Sequence, residues 1–327
     1  MCDASLGRLL DFMDGHDMWA DTMLIINTDH GFLLGERGWW AKSVMPWFNE
    51  LVRLPFFLWD PRTGEQGTRC GALAQTIDIA PTLLRFFGLE PTPDVQGRDL
   101  AELIGGDQVP GGQRPPREGG LFGAHGGHVN VTDGRYVYMR APAEASNAPL
   151  DEHTLMPAHM RSRFGAGELA DWEAAEPFSF TKGLRTLRIP ASGARSNPWL
   201  HGTLLFDLAT DPGQLRPLQD DDVELHMLRL LARLMHENDA PPGQFQRLGI
   251  PFSGEVGPEN LLVRAQADRA AATAEPLPPL AELPAADLLL EPLARLLQDP
   301  RAHAVVERHV PELTRTELLT LPPTLGV

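Results

Sequence analysis

The sequence predicts an α/β layer followed by a smaller α+β subdomain, and three features carry that expectation. Met23-Leu24-Ile25-Ile26 and Leu54 to Trp59 are uninterrupted apolar runs, the pattern of strands buried on both faces of a mostly parallel sheet. Helical segments flank them: the stripe Leu6, Leu9, Leu10 and Met13 before the first run, and Thr76 to Gly88 after the second. Further on, Asp133-Gly134 separates Val129–Thr132 from Tyr136–Met139, a hairpin signal that makes the later strands antiparallel.

The elements follow in order. Residues 5–14 read as a helix with Ser5 as its N-cap. A loop through Asp17 leads to the first strand, which ends in Asn27-Thr28-Asp29-His30-Gly31, where the chain must turn. The second strand gives way to Asp60-Pro61 and a glycine-containing loop. The next helix has Asp78 near its N-cap, Pro81 in its first turn and Gly88 as its stop. Helix, strand, loop, strand, helix is the rhythm of an α/β layer and fills residues 1–104. Residues 105–120 are a Gly/Pro-rich linker or loop. The subdomain occupies 121–250, adding a strand at Gly202–Leu208 and a helix at Val223–His236 with Leu225, Leu228, Leu231, Leu234 and Met235 on its apolar side. Residues 251–327 form a Pro/Ala/Leu-rich tail with short helices near 286–298 and 302–314.

Composition narrows the function. A chain of 327 residues with 43% hydrophobic content has room for about two domains. Its net charge of −16 argues against nucleic-acid binding, which needs a basic face to displace phosphate counterions. An anionic small molecule stays open, because one cation or lysine reverses the field locally. Two cysteines, Cys2 and Cys70, supply neither a disulfide framework nor a four-cysteine zinc site. No apolar run approaches the ~18 residues of a membrane span, and the acidic, amphipathic N-terminus does not read as a signal peptide. A reducing, cytoplasmic setting without membrane partners is the expectation.

The chemistry lies in Asp29 and His30. They sit at the carboxyl end of a strand, where ligands of open α/β sheets collect. Gly31 lets a turn bring both side chains to one point, and a carboxylate with a neutral imidazole suits a divalent cation. Taken singly, the same residues have plainer readings: Asp29 caps a turn, His30 is a solvated loop residue, and Lys42 is a surface lysine. His125-Gly126-Gly127-His128 offers two histidines that can reach a metal or a substrate anion, or else a polar loop entering the hairpin. His153 and His159, around Met156 to Met160, read as a packed loop or helix edge.

Thr28-Asp29-His30-Gly31, continuing through Leu34-Gly35-Glu36 to Lys42, resembles the second half of the sulfatase signature within the alkaline-phosphatase-like superfamily. Arg53-Leu54-Pro55-Phe56-Phe57-Leu58 resembles the family's R-x-P-hydrophobic strand, and Thr76 to Leu84 its D-x-x-P-T-L-L helix, a structural segment. Leu205-Phe206-Asp207-Leu208 with Asp211-Pro212 is similar to its later strand and turn. The resemblance covers about residues 1–250 and is densest over 20–100. It implies that residues 1–104 are the C-terminal part of the catalytic domain, a partial alkaline-phosphatase-like sandwich. It also implies that Asp29 and His30 are metal ligands, for Ca first and Mg or Mn as alternatives, and that Lys42 contacts the transferred anionic group and stabilises its charge.

Two departures bear on activity. Many relatives have histidine where this chain has Arg37. The family's nucleophile, a formylglycine made from Cys or Ser in true sulfatases, lies in C-x-P-x-R or S-x-P-x-R, and no cysteine or serine of this sequence fits that pattern. The expectation is therefore a metal-dependent sulfuric ester hydrolase acting on a sulfated or phosphorylated small-molecule ester, truncated and inactive alone. It would be prone to self-association through exposed sheet surface. The alternatives are a phosphodiesterase or phosphonate monoester hydrolase of the same superfamily, and a non-catalytic fragment that binds a partner or an anion.

Overall fold

The structure, a computed structural model, describes residues 2–36, 39–42, 46–104, 117–156, 158–159, 162–191, 197–274 and 297–309. Arg37, most of the expected linker and nearly all of the expected helix at 286–298 lie outside the described residues.

Helix α1 (Cys2–Gly15) starts before Ser5, which therefore sits within the helix rather than capping it. Of its apolar stripe Met13 is buried and Leu9 is exposed, so the helix is fixed mainly at its C-terminal end. Strand β1 (Leu24–Asn27) leads to a two-residue-per-strand hairpin, β2 (Leu33–Leu34) and β3 (Trp40–Ala41). The helical turn α2 (Asn49–Val52) and strand β4 (Phe56–Trp59) follow.

The chain mixes helices and sheets as an α/β sequence should, but a mostly parallel sheet does not describe its strands. β4 runs antiparallel to β1, with Leu24 opposite Trp59 and Asn27 opposite Phe56, and the other pairings among the described residues are antiparallel too. A parallel neighbour needs a crossover that carries the chain back to the start of the strand. Here the connection stays at the end of β1: Gly31 N–H donates to Leu51 O at 2.8 Å, so β4 can begin beside Asn27 and run back. Trp59 packs edge-on against Trp19, and its Nε1 donates to Trp19 O at 3.0 Å.

Asp78 heads helix α3 (Ile79–Phe86) and is almost fully buried, at 1% exposure. Its carboxylate accepts from the backbone N–H of Gln75 and of Arg98, each at 2.8 Å, and from the Arg117 guanidinium. The D-x-x-P-T segment is thus structural, tying α3 to two later stretches of chain. Gly88 at φ 70° ends the helix in the left-handed conformation that favours glycine. The short helix α4 (Ala101–Ile104) follows, its start held by Asp99, which also pairs with Arg62 at 3.1 Å.

The second part is built on a four-stranded sheet of β5 (Gly120–Gly123), β6 (Val129–Thr132), β7 (Tyr136–Arg140) and, later in the chain, Leu204–Asp207. The Asp133-Gly134 turn forms as predicted: Asp133 Oδ1 accepts from Arg135 N and Tyr136 N, and Gly134 takes φ 96°. A separate three-stranded sheet comprises β8 (Asp151–Thr154), β9 (Glu173–Ala174) and β10 (Leu187–Pro190). The Leu204–Asp207 strand is β11 and lies next to β7. Helix α5 (Asp221–Glu237), capped by Asp220 through Asp222 N and Val223 N, covers one face of the larger sheet. Alternation decides the faces: Val131, Tyr138 and Leu205 meet Leu228 and Leu231 of α5, whereas Val137, Met139, Leu204 and Phe206 face the other way. Full burial stabilises each such leucine by roughly 1.5–3 kcal/mol.

One buried network joins these elements. Arg140 donates to Tyr138 Oη at 2.9 Å and to Leu248 O, and Tyr138 Oη donates to Glu224 Oε1 at 3.0 Å. Glu224 also accepts from Leu262 N and Val263 N, while burial raises the Tyr138 phenol's pKa above its ordinary value. The subdomain consequently runs past residue 250. Helix α6 (Pro242–Leu248) supplies Phe245 and Leu248 to the core, and Gln266 bridges Thr203 N and Pro142 O. Ala270 of helix α7 (Ala267–Ala274) packs on the second sheet face. Helix α8 (Pro300–His309) covers the first part of the segment expected at 302–314. Among the described residues no helix is long and apolar enough to cross a membrane.

Candidate metal and anion site

Three of the sequence-predicted residues come together at the end of β1. After Asn27 the chain turns through Thr28, whose hydroxyl donates to His30 O at 3.1 Å, and His30 N–H donates to Asp29 Oδ1 at 3.0 Å. These local bonds set both side chains on one side of the turn, with Asp29 Oδ2 3.4 Å from His30 Nε2. Gly31 is required for contact rather than for φ. A Cβ there would lie 1.7 Å from Glu50 O, so α2 packs against bare backbone.

The hairpin then returns Lys42. Leu33 pairs with Ala41, which sets Phe32 opposite Lys42 and places the lysine beside the turn it left twelve residues earlier. Lys42 Nζ donates to His30 Nε2 at 2.9 Å. Ala41, immediately before it, is held at φ 103°, a conformation that costs a non-glycine residue of order 1–3 kcal/mol. Glu36 closes the hairpin by accepting from Leu34 N at 2.5 Å.

The donor set fits a divalent cation in part. His30 Nδ1 lies 2.8 Å from Gly31 O, and a carbonyl accepts, so Nδ1 carries the proton and Nε2 presents a lone pair. A backbone carbonyl holding the far nitrogen is the usual support of a metal-ligating histidine. The Asp29 carboxylate is largely exposed, with Oδ1 held by the His30 N–H. A cation needs more ligands than these, and among the described residues no group of three or more His, Cys, Asp or Glu side chains is placed to hold one.

His125 and His128 stand apart from this cluster. His125 Nε2 donates to Asp151 O at 3.0 Å from an exposed turn. His128 is 2% exposed, bonded through Nε2 to Gly202 O at 3.0 Å, and burial lowers its pKa to about 3. A neutral, buried imidazole is no anion contact. His159 bonds Glu168 at 2.8 Å and His153 approaches Thr186 Oγ1 at 3.4 Å, in keeping with packed positions. The sequence reading passed over Asn130 and Trp47, which lie beside His128. The alternation of β6 is a signal that could have found Asn130, a polar residue at an inward position of Val129–Thr132.

Residues 35–113 match the family model described as N-sulphoglucosamine sulphohydrolase, C-terminal. The chain is 33% identical over 102 residues to an N-acetylglucosamine-6-O-sulfatase of Bacteroides thetaiotaomicron, a match covering 31% of this chain and 18% of that protein. Over this stretch the chain is similar to sulfatases. Human iduronate 2-sulfatase is 31% identical over 106 residues, again 31% of this chain and 18% of the relative. A multifunctional alkaline phosphatase superfamily protein of Trinickia caryophylli is 30% identical over 103 residues, 31% of this chain and 20% of its own length. The matches thus span about a fifth of these sulfatase-family relatives. A solved protein in complex with its substrate D-glucosamine-2-N,6-O-disulfate overlays with a TM-score of 0.46 at 17% identity, covering 74% of this chain and 39% of that one.

Proposed function

We propose that this chain carries the metal-and-anion half of a sulfuric ester hydrolase site. The convergence of Asp29, His30 and Lys42 on one point, achieved by a tight turn and a returning hairpin, carries the reading. Asp29 and His30 Nε2 would hold a divalent cation, Ca²⁺ first and Mg²⁺ or Mn²⁺ as alternatives. When bound, such an ion polarises the ester oxygens. Lys42 supplies positive charge to the sulfate group, where charge develops as the ester bond breaks. To do so it gives up its hydrogen bond to His30, which frees the Nε2 lone pair at the same time. Release of that hydrogen bond would leave His30 Nε2 available as a ligand. Sulfated sugars are the substrate class, in line with the sugar-sulfate names of the relatives.

The sequence contains no C-x-P-x-R or S-x-P-x-R segment, so this reading assigns the nucleophile to no residue of the chain. Hydrolysis of p-nitrophenyl sulfate and of bis-p-nitrophenyl phosphate, with and without each metal and alongside Asp29→Ala, tests the reading. No turnover is expected from the folded chain alone. Metal-dependent turnover lost in Asp29→Ala would show a complete site and contradict the half-site account. Faster cleavage of the phosphate diester would favour the phosphodiesterase reading, to which the alkaline phosphatase superfamily relative lends support.

A further inference from the structure

The β2–β3 hairpin that returns Lys42 buries one side and leaves the other in water. Leu33 is 1% exposed and its neighbour Leu34 is 64% exposed, the alternation of a strand with one wet face. Phe32, two residues before Leu34, falls on the same outer side and is 50% exposed. The hairpin therefore turns two large apolar side chains outward.

Strand register ties this outer face to the candidate site. Leu33 pairs with Ala41, and one further step sets Phe32 opposite Lys42. Directly opposed residues of an antiparallel pair stand with Cβ atoms about 4.5–5.5 Å apart. Lys42 Nζ reaches His30 Nε2 at 2.9 Å, and His30 precedes Phe32 by only two residues. An exposed cation and a half-exposed aromatic ring are thus neighbours.

Size and charge decide what fits there. Two side chains fall far short of the roughly 800 Å² per partner that a stable protein interface buries. They match the face of a single ring. The Phe32 ring suits an aryl group or the C–H face of a sugar. Lys42 gives an adjoining anion a local cation in a chain of net charge −16.

We propose that Phe32, extended by Leu34, is the platform on which the ring of the ester's organic part lies. It selects ring-bearing sulfate esters over small alkyl ones, a specificity role and not a chemical one. The anion half of this proposal rests on the hydrolase reading above.

The test is equilibrium binding to the whole chain, followed by NMR. Methyl sulfate is the ringless ester, 4-nitrophenyl sulfate carries an aryl ring, and glucose 6-sulfate carries a sugar ring. The ring esters should bind about tenfold tighter than methyl sulfate and give NOEs from their ring protons to Phe32. A gain confined to one of them supports the platform and identifies which ring it takes. Phe32→Ala should abolish the gain and leave methyl sulfate binding unchanged, whereas Phe32→Tyr, which keeps the ring, should retain it. Ring esters that bind no tighter than methyl sulfate, or a preference that survives Phe32→Ala, would overturn the proposal. The affinity ratio and the NOEs come from the unaltered chain, so misfolding of a variant does not blunt the test. Affinities for all three esters that are unchanged in Lys42→Ala would instead count against the hydrolase reading, with the ring preference still read at Phe32.

Discussion

His128 Nδ1 and Asn130 Oδ1 are buried without a partner among the described residues, while Lys42 Nζ donates to His30 Nε2. His128 also makes a prediction about stability. Its pKa is lowered from the ordinary 6.5 to about 3, first by burial and then by the neighbouring His201. The unfolded chain therefore takes up a proton below pH 6.5 that the folded chain refuses. Stability from this residue is fully present above pH 6.5 and falls as pH drops, by roughly 1.4 kcal/mol per pH unit until about pH 3. Thermal melts of the wild type and His128→Phe between pH 7.5 and 4 should show a shallower decline in the variant. Equal slopes would mean that His128 is not held neutral. The histidine was visible in the sequence, but its burial was not, because the carbonyl that fixes it belongs to Gly202, 74 residues further on. Asp29, His30 and Lys42 were legible for the opposite reason: one turn and one short hairpin bring them together, so their meeting depends on local chain.

At the level of elements, Gly31 and α2 show how the site turn is anchored. Gly31 N–H donates to Leu51 O at 2.8 Å, and the Glu50 carbonyl occupies the space that any Cβ would need. Gly31→Ala must push α2 away from the turn, at a cost of about 1–3 kcal/mol for overpacking. Chemical denaturation measures that loss. The same displacement should loosen the 2.9 Å contact between Lys42 and His30, seen as a shift of the His30 Nε2 resonance. A variant of unchanged stability and unchanged His30 resonance would show that the turn does not depend on α2. The direction of β4 belongs to this scale too. Its apolar run was plain in the sequence, but antiparallel pairing follows from where α2 returns the chain, and no run of Phe56–Trp59 encodes that. By contrast, the Asp133-Gly134 hairpin and α5 with its Asp220 cap were readable because turn and cap chemistry are local.

On the scale of the whole molecule, two regions of unequal character meet at Phe48 and Asn49. The second is well packed, around Tyr138, Glu224 and the leucines of α5. It also receives Phe48, which stacks edge-on with Phe206, while Asn49 N donates to Gln214 Oε1 at 2.7 Å. The first region is open. Phe57 is 64% exposed and Phe87 70%, and the β1–β4 pair has no further strand on either edge among the described residues. Such a surface favours association with another sheet or another copy. The proposed half-site lies on this open region but is braced through Phe48 by the packed one, so binding there should register in the stability of the whole chain.

Calcium-dependent thermal stability of the wild type and of Asp29→Ala is therefore the most direct test of the half-site. Because a chain of net charge −16 attracts cations nonspecifically, the difference between the two proteins is the readout. The account predicts a saturable rise in Tm for the wild type, reaching about 1.4 kcal/mol of added stability at ten times Kd, and its loss in Asp29→Ala. A wild type that does not respond, or a response that Asp29→Ala retains in full, would contradict a metal site at Asp29 and His30.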